Sequence, residues 1–270
     1  MRFFAILLLA LLPLRVNADI AGPDPVAVRM ARASMTLVGT VASIEDKPVL
    51  ALPYPGAMEK VPYRVAVVKV DQGLIGTAGA THVRVGFVEM QNPRRPIQNL
   101  KADQQVLLFL KPHPQEGFQV SSVYYYGFVY GSEPSFKVQV DEAVKAAKVL
   151  ANPLATLKGD DRAARAQVAG VLLHRYAAER GPNTKQEPID AEESRLILKA
   201  LAETEWNPTA PVQAGSYALS FPQTFALLGL TEADGWKPPA NFKEFPDAAR
   251  KWLMDNAGTY RVKRSVPKDR

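Results

Sequence analysis

The residues that could do chemistry are few in this sequence, and none of them occurs at a spacing typical of a catalytic or metal site. The chain has 270 residues and no cysteine, which excludes thiolate nucleophiles, thiolate metal ligands and disulfide bonds. Its three histidines, His82, His113 and His174, lie far apart. Because zinc sites usually include two ligands at short spacing, the sequence predicts no metal site and no cofactor.

Two adjacent pairs of carboxylates, Asp160-Asp161 and Glu192-Glu193, are candidates for acid–base chemistry. Both pairs stand where a helical pattern begins, and acidic side chains there accept hydrogen bonds from free backbone amides, so capping is the expected role. The sequence also lacks the Gly-x-Ser-x-Gly elbow, the phosphate-binding loop, the His-Glu-x-x-His motif and the calcium-loop pattern. It predicts no catalytic residue, and a hydrolase with an atypical site stays an alternative.

One run of aromatic residues is a candidate ligand-binding surface. In a β-strand, alternate side chains point to the same face. A strand over residues 124–130 would therefore place four rings in a row: Tyr124, Tyr126, Phe128 and Tyr130. Such a row could stack on a sugar ring or a peptide. Packing in a core, or a surface on which helices dock, is the alternative interpretation, since tyrosine favours sites with one dry and one wet end.

The N-terminus has the pattern of a secretory signal. The positively charged Arg2 precedes an apolar run, Phe3–Leu14. Small or compact residues at positions 16–18 then form the site after which signal peptidase would cleave. The run is shorter than the roughly 20 apolar residues that span a bilayer, although an uncleaved anchor is the competing interpretation. The sequence therefore predicts an exported protein, periplasmic or secreted, that begins at Asp19 and has no integral membrane segment after cleavage.

The absence of cysteine and the charge pattern narrow the expected setting and partners. A lipid-anchored lipoprotein needs a cysteine at its cleavage site, so this chain is not expected to be one. Exported eukaryotic domains usually rely on disulfides, so the absence of cysteine favours a bacterial envelope protein. The whole chain has a net charge of +6. Loss of Arg2 and Arg15 with the signal would leave 31 basic and 27 acidic residues. Nucleic acid is not an expected partner, because it requires a broad basic surface.

The excess positive charge lies at the C-terminus. Residues 259–270 contain one acid, Asp269, and five basic residues: Arg261, Lys263, Arg264, Lys268 and Arg270. This basic tail could contact anionic lipid or cell-wall polymer. The alternative is a free, solvated end, because chain termini are commonly untethered.

Short β-branched segments fill the first half of the chain and are bounded by Gly, Pro, Asp or Asn. They predict strands over residues 35–44, 63–70, 82–88, 105–110, 118–123 and 124–130. A proline-rich loop over residues 45–62 separates the first two, and loops of this length are often functional. Five or six strands at this spacing predict a small antiparallel barrel or sandwich.

The second half of the chain has helical periodicity. Helices are expected over residues 141–151, 161–178, 191–204, 222–230 and 246–256, besides an early one over residues 24–34. Asp24, at the start of the early helix, and Asp190, directly before residue 191, are expected to cap these two helices. The expected class is therefore α+β, an antiparallel barrel followed by an all-helical domain. The expected domains are a signal at residues 1–18, a barrel at 19–140, a helical domain at 141–258 and the basic tail at 259–270.

The strand region resembles a known family over residues 35–123. The matching segments are residues 37–41 (LVGTV), 63–70 (YRVAVVKV), 73–76 (GLIG), 82–88 and 102–110. They resemble an OB-fold barrel of the netrin-like or tissue-inhibitor-like kind, which also occurs in exported bacterial proteins, and the resemblance implies that Gly39 serves barrel curvature. Members that inhibit metalloproteases use an N-terminal cysteine to clamp the metal. This chain has none, so the resemblance implies neither that activity nor any site residue.

These observations predict an exported, non-enzymatic binding or adaptor protein of the cell envelope, with an envelope protein as its partner. The absence of catalytic motifs and the presence of an export signal carry this expectation. A binder of glycans or small ligands, acting through the aromatic strand, is the first alternative. The sequence leaves the oligomeric state open.

Overall fold

The structure of the protein, a computed structural model, describes residues 24–54, 56–89, 99–123, 127–178, 184–204 and 221–268. The expected α+β class is confirmed, because a mostly antiparallel sheet is followed by helices. Within these ranges, no helix has both the length and the apolar composition needed to cross a membrane. The predicted signal at residues 1–18 lies outside the described ranges.

Seven strands form the first sheet. They are β1 (Met35–Ile44), β2 (Val49–Ala51), β3 (Val61–Ile75), β4 (His82–Phe87), β5 (Gln105–Pro112), β6 (Gln119–Ser121) and β7 (Phe128–Tyr130). Five of the predicted strands overlap β1, β3, β4, β5 and β6. The sixth predicted strand, over residues 124–130, overlaps β7, and its residues 124–126 lie outside the described ranges; β2 was not predicted.

The pairings among these strands form a closed cycle. Neighbouring strands follow the order β1-β3-β4-β6-β5-β7, and β1 also pairs with β5, so the cycle runs through β1, β3, β4, β6 and β5. Every pairing is antiparallel except the short one between β4 and β6. The register between β1 and β3 shifts at three points, and such bulges bend a strand. At Gly39 the Lys69 carbonyl leaves no room for a Cβ atom.

Strand β5 is buried on both faces. Val106, Leu108 and Leu110 belong to a cluster enclosed by the strands, together with residues of β1, β3 and β4. Leu107 and Phe109 point the other way, into a second cluster between the sheet and helices. This double burial explains why β5 reads as a continuous apolar run rather than as an alternating one.

The helices follow the sheet, except for the first. They are α1 (Val26–Arg32), α2 (Phe136–Ala151), α3 (Pro153–Lys158), α4 (Arg162–Ala177), α5 (Ala191–Ala202), α6 (Phe221–Ala226) and α7 (Phe245–Asn256). Short 3₁₀ turns occupy Glu232–Asp234 and Phe242–Glu244. Helices α4, α5 and α7 share a core that includes Leu172, Ile197 and Leu253.

Helix α2 joins the sheet to the later helices. It begins at Phe136 and runs without a break through residue 140, where the sequence places the end of the strand domain. Its Ala143 and Leu150 pack in the cluster that also contains Val26 of α1, Phe109 of β5 and Val171 of α4. The strands and the helices therefore share a packed cluster.

Local capping was predicted well at two helices and wrongly at one. The Asp161 carboxylate accepts from the Ala164 amide at 3.0 Å, and Asp190 accepts from the Glu192 amide at 2.8 Å. Asp24 was expected to cap α1, but that helix has no side-chain cap. Instead, the Asp24 carboxylate lies 2.6 Å from the Arg32 guanidinium at the other end of the helix.

Part of the basic tail is a strand rather than a free end. Strand β9 (Lys263–Pro267) pairs antiparallel with β8 (Thr184–Pro188), and neither strand was predicted. Two of the tail cations lie near acids: Lys263 is 3.5 Å from Asp234, and Arg264 is 3.8 Å from Glu187. Part of the positive charge of the tail is therefore paired within the protein.

Candidate functional site

Three of the six large hydrophobic side chains that are exposed among the described residues lie in one loop. We call residues 45–60 the apolar loop; its Pro55 lies outside the described ranges. Leu50, Tyr54 and Met58 have exposed fractions of 60%, 63% and 95%. Single exposed hydrophobic residues are ordinary, but several in one loop indicate an interaction site.

Strand β2 fixes the first half of the apolar loop. It pairs with the start of β3, which places Leu50 opposite Pro62 and Ala51 opposite Val61. Ala51 is buried against Tyr63 in a small cluster beneath the loop. Because side chains alternate along a strand, the burial of Ala51 turns Leu50 outward to solvent.

The ring of His113 anchors the middle of the apolar loop. Its Nδ1 accepts hydrogen bonds from the backbone amides of Gln115 and Glu116 at 3.2 and 3.1 Å. The proton must therefore be on Nε2, which donates to the Leu52 carbonyl at 3.0 Å. The ring is buried, 5.4 Å from the Tyr63 ring and 4.9 Å from that of Phe118. The neutral imidazole thus ties the loop to the end of β5.

An ion pair holds the start of the apolar loop. The Arg84 guanidinium on β4 contacts both carboxylate oxygens of Glu45, at 2.7 and 2.9 Å. These hydrogen bonds hold the pKa of Glu45 below its ordinary value. A two-point contact of this kind fixes orientation more firmly than a single bond, although its exposure limits its contribution to stability.

The apolar loop offers apolar contact to a partner. Among the described residues, no group of three or more His, Asp or Glu side chains is placed to hold a metal ion. His113 has both ring nitrogens engaged with the backbone. The loop offers Leu50, Tyr54 and Met58, and burying such side chains against a partner stabilises a complex.

The aromatic strand is placed only in part. Phe128 is 4% exposed and packs in the cluster enclosed by the strands, with Leu108 as its partner across the pairing of β5 and β7. A ring buried in this way cannot stack on a ligand, so Phe128 is a core residue and not a binding residue. Tyr130 is half-buried against the same cluster, and burial raises the pKa of its hydroxyl. Tyr124 and Tyr126 lie outside the described residues, so their role stays a prediction.

The two carboxylate pairs do not come together in a cleft. Asp161 caps α4, and Asp160 is exposed beside it. Glu192 forms an ion pair with a lysine of α3 at 3.0 Å. Glu193 accepts a hydrogen bond from the Tyr176 hydroxyl, whose pKa is raised chiefly by burial. Each carboxylate thus has a local structural environment.

His174 lies at the contact between α1 and α4. The Arg32 guanidinium is 3.2 Å from its Nδ1 and 2.6 Å from the Asp24 carboxylate. Burial, together with the nearby charge of Arg32, lowers the pKa of His174 from 6.5 to about 4. A neutral imidazole therefore accepts the hydrogen bond from Arg32 and joins the two helices.

No protein-family model matches this chain, and no curated protein matches it significantly in sequence.

Sequence reasoning identified the proline-rich loop but not its exposed residues. Leu50, Tyr54 and Met58 follow one another at a spacing of four, a signal that could have been noticed. Their exposure could not have been predicted, because it depends on the pairing of β2 with β3 and on the position of His113, which is distant in sequence.

We predict that His113→Phe loosens the apolar loop. Phenylalanine keeps the apolar packing but leaves the Leu52 carbonyl and two amides without their partner, which costs about 1–3 kcal/mol. Urea unfolding should show this loss, and amide hydrogen exchange should rise in the loop but not in β1. His82→Phe, at an exposed histidine, is the control. Unchanged stability and exchange in the His113 variant would contradict the anchoring role.

The His174 environment predicts a specific pH dependence of stability. Its pKa is about 4 in the folded protein against 6.5 for the ordinary imidazole. As the pH falls, this imidazole is therefore protonated in the unfolded chain before it is protonated in the folded protein. The free energy of unfolding decreases as the pH drops from 6.5 towards 4. In His174→Gln this part of the loss is absent, since the amide does not titrate. Urea unfolding of both proteins from pH 7 to pH 4 measures the difference, and parallel curves would refute the prediction.

Proposed function

We propose that this protein is an exported, non-enzymatic binding or adaptor protein of the bacterial cell envelope, and that the apolar loop is its partner-binding surface. The observation that carries the proposal is the exposure of Leu50, Tyr54 and Met58 on a loop that is held at several points. Monomeric proteins rarely place several large apolar side chains together in water without a partner.

The loop is suited to binding because its position is fixed in advance. The β2–β3 pairing, the His113 hydrogen bond and the Glu45–Arg84 ion pair hold it. A preorganised loop loses less conformational freedom when it binds, so more of the apolar contact energy appears as affinity. Tyr54 and Met58 suit this role, since Tyr supplies a rigid ring and Met adapts to the opposing surface.

We infer an OB-like barrel of the netrin-like kind for the strands. Two features support this inference: the closed cycle β1-β3-β4-β6-β5 and the single parallel contact between β4 and β6. In OB folds the loop between the first two long strands often contributes to binding. The apolar loop joins β1 to β3 and so occupies that position.

The proposed location rests on the N-terminal pattern. Residues 1–18 have the order of charge, apolar run and compact residues that signal peptidase recognises. The partner is proposed to be an envelope protein with a complementary apolar patch. Phe128 is buried, so this ring does not support glycan binding as a second function.

The test is a loop variant in which Leu50, Tyr54 and Met58 are all replaced by Ser. The immobilised protein, starting at Asp19, retains a partner from an envelope extract, and the purified partner is then titrated against each variant. Affinity should fall at least about tenfold, because exposed apolar anchors dominate such interfaces. The unfolding free energy should change little, since these side chains are exposed.

The matched control replaces Val138 and Phe242 by Ser, which removes two exposed apolar side chains elsewhere. Its affinity for the same partner should equal that of the original protein. Equal losses in both variants would point to nonspecific adhesion. A partner that binds the loop variant with full affinity would rule out the apolar loop as the binding surface.

A further inference from the structure

A second, chemically different surface lies between α5 and α7. A cavity of about 370 Å³ opens there, which we call the α5–α7 groove. Ala202, Leu253 and Ala257 form its apolar part together with Met254, which is 67% exposed. The volume is at the low end of the range for small-molecule sites and suits a narrow ligand.

Basic side chains border this groove on one side. Arg195 and Lys199 line it, and both also line an adjoining polar cavity of about 320 Å³ beside α3 and α4. That cavity adds Lys158 and Arg165, with Asp160 as its acid. Apolar and basic linings therefore meet at the exposed ridge of α5.

Arg195 is the basic residue on this ridge that is available to a ligand. Glu203 also lines the groove, but Arg165 holds it at 2.6 Å and Lys199 lies 3.8 Å from it. Lys158 has an ion pair of its own. Within the described part of the chain, Arg195 has no hydrogen-bond or ion-pair partner, and the two cavities together contain four basic and two acidic side chains.

We propose that the α5–α7 groove binds a fatty acid, with the hydrocarbon chain against Met254 and Ala257 and the carboxylate at Arg195, beside Lys199. An anionic head group satisfies the free guanidinium, whose planar fork matches a carboxylate. The small apolar volume accepts a single chain rather than a two-chain lipid. The unbranched Met254 side chain adapts to a flexible chain.

This inference is independent of the proposed function, because it uses residues of α5 and α7 rather than the apolar loop. A fatty-acid binder without a protein partner, and an adaptor without a fatty-acid site, are both distinguishable outcomes. The readouts below involve no partner protein.

Calorimetric titration of the protein, starting at Asp19, with dodecanoate below its micelle concentration tests the proposal. We expect one molecule bound per chain. Dodecyltrimethylammonium, which has the same chain and the opposite charge, should bind at least about tenfold more weakly, a difference of about 1.4 kcal/mol. Equal binding of the two, or no binding of dodecanoate, overturns the proposal. Tighter binding of dodecyl phosphate would overturn the choice of a carboxylate head group.

Charge reversal locates the head group. Arg195→Glu with Lys199→Glu should weaken dodecanoate binding at least about tenfold, because attraction becomes repulsion. Lys69→Glu with Lys111→Glu, at two exposed lysines of the sheet, makes the same change in net charge and should leave binding unchanged. Equal effects of the two pairs would show that only net charge matters and would overturn the site.

The methionine methyl signals in NMR spectra show where the hydrocarbon chain of dodecanoate binds. Dodecanoate should shift the Met254 methyl resonance, assigned through Met254→Leu, and should leave that of Met58 in place. A shift of Met58 without one of Met254 would place the amphiphile on the apolar loop and refute the α5–α7 groove.

Discussion

The burial of β5 on both faces is the constraint on which the rest of the structure depends. Its inner residues complete the cluster enclosed by the strands, and its outer residues, Leu107 and Phe109, would face water without the helices. Helices α1 and α2 must therefore dock on the sheet.

A buried arginine, Arg29 of α1, lies at this contact between helices and sheet. Its guanidinium donates a hydrogen bond to Gln139 of α2 at 2.5 Å and lies 4.5 Å from the centre of the Phe109 ring. A buried charge held in this way favours one arrangement of helix and sheet.

The position of the apolar loop follows from the same strand. His113 comes directly after β5, and its amide donates to the Phe118 carbonyl at 2.9 Å. Its ring then reaches the loop through Leu52. The imidazole of His113 therefore connects the apolar loop, with its exposed side chains, to the buried strand β5. Binding loops on rigid scaffolds of this kind are common, because a loop that is already ordered loses less conformational entropy when it binds.

Local chemistry could be predicted from the sequence, and long-range pairing could not. Asp161 and Asp190 cap helices as expected, since a cap depends on a few neighbouring residues. Asp24 does not, because Arg32 competes for its carboxylate.

The pairing of β8 with β9 could not be predicted from the sequence. Both strands consist mainly of polar and charged residues, so they lack the alternation of apolar and polar residues that indicates a strand, and each forms by pairing with the other. Phe128 lies on the predicted strand, but which face of that strand is buried depends on its pairing with β5. The exposure of Met58 and the opening between α5 and α7 likewise appear only in three dimensions.

Site-specific photocrosslinking in intact cells most directly tests whether the apolar loop is a partner surface. A benzophenone amino acid at position 58 should give a discrete adduct with one envelope protein. The same amino acid at position 138, also an exposed apolar position outside the loop, should not give it. The same adducts from both positions, or none from position 58 in cells that export the protein, would contradict the proposal that this loop binds a partner.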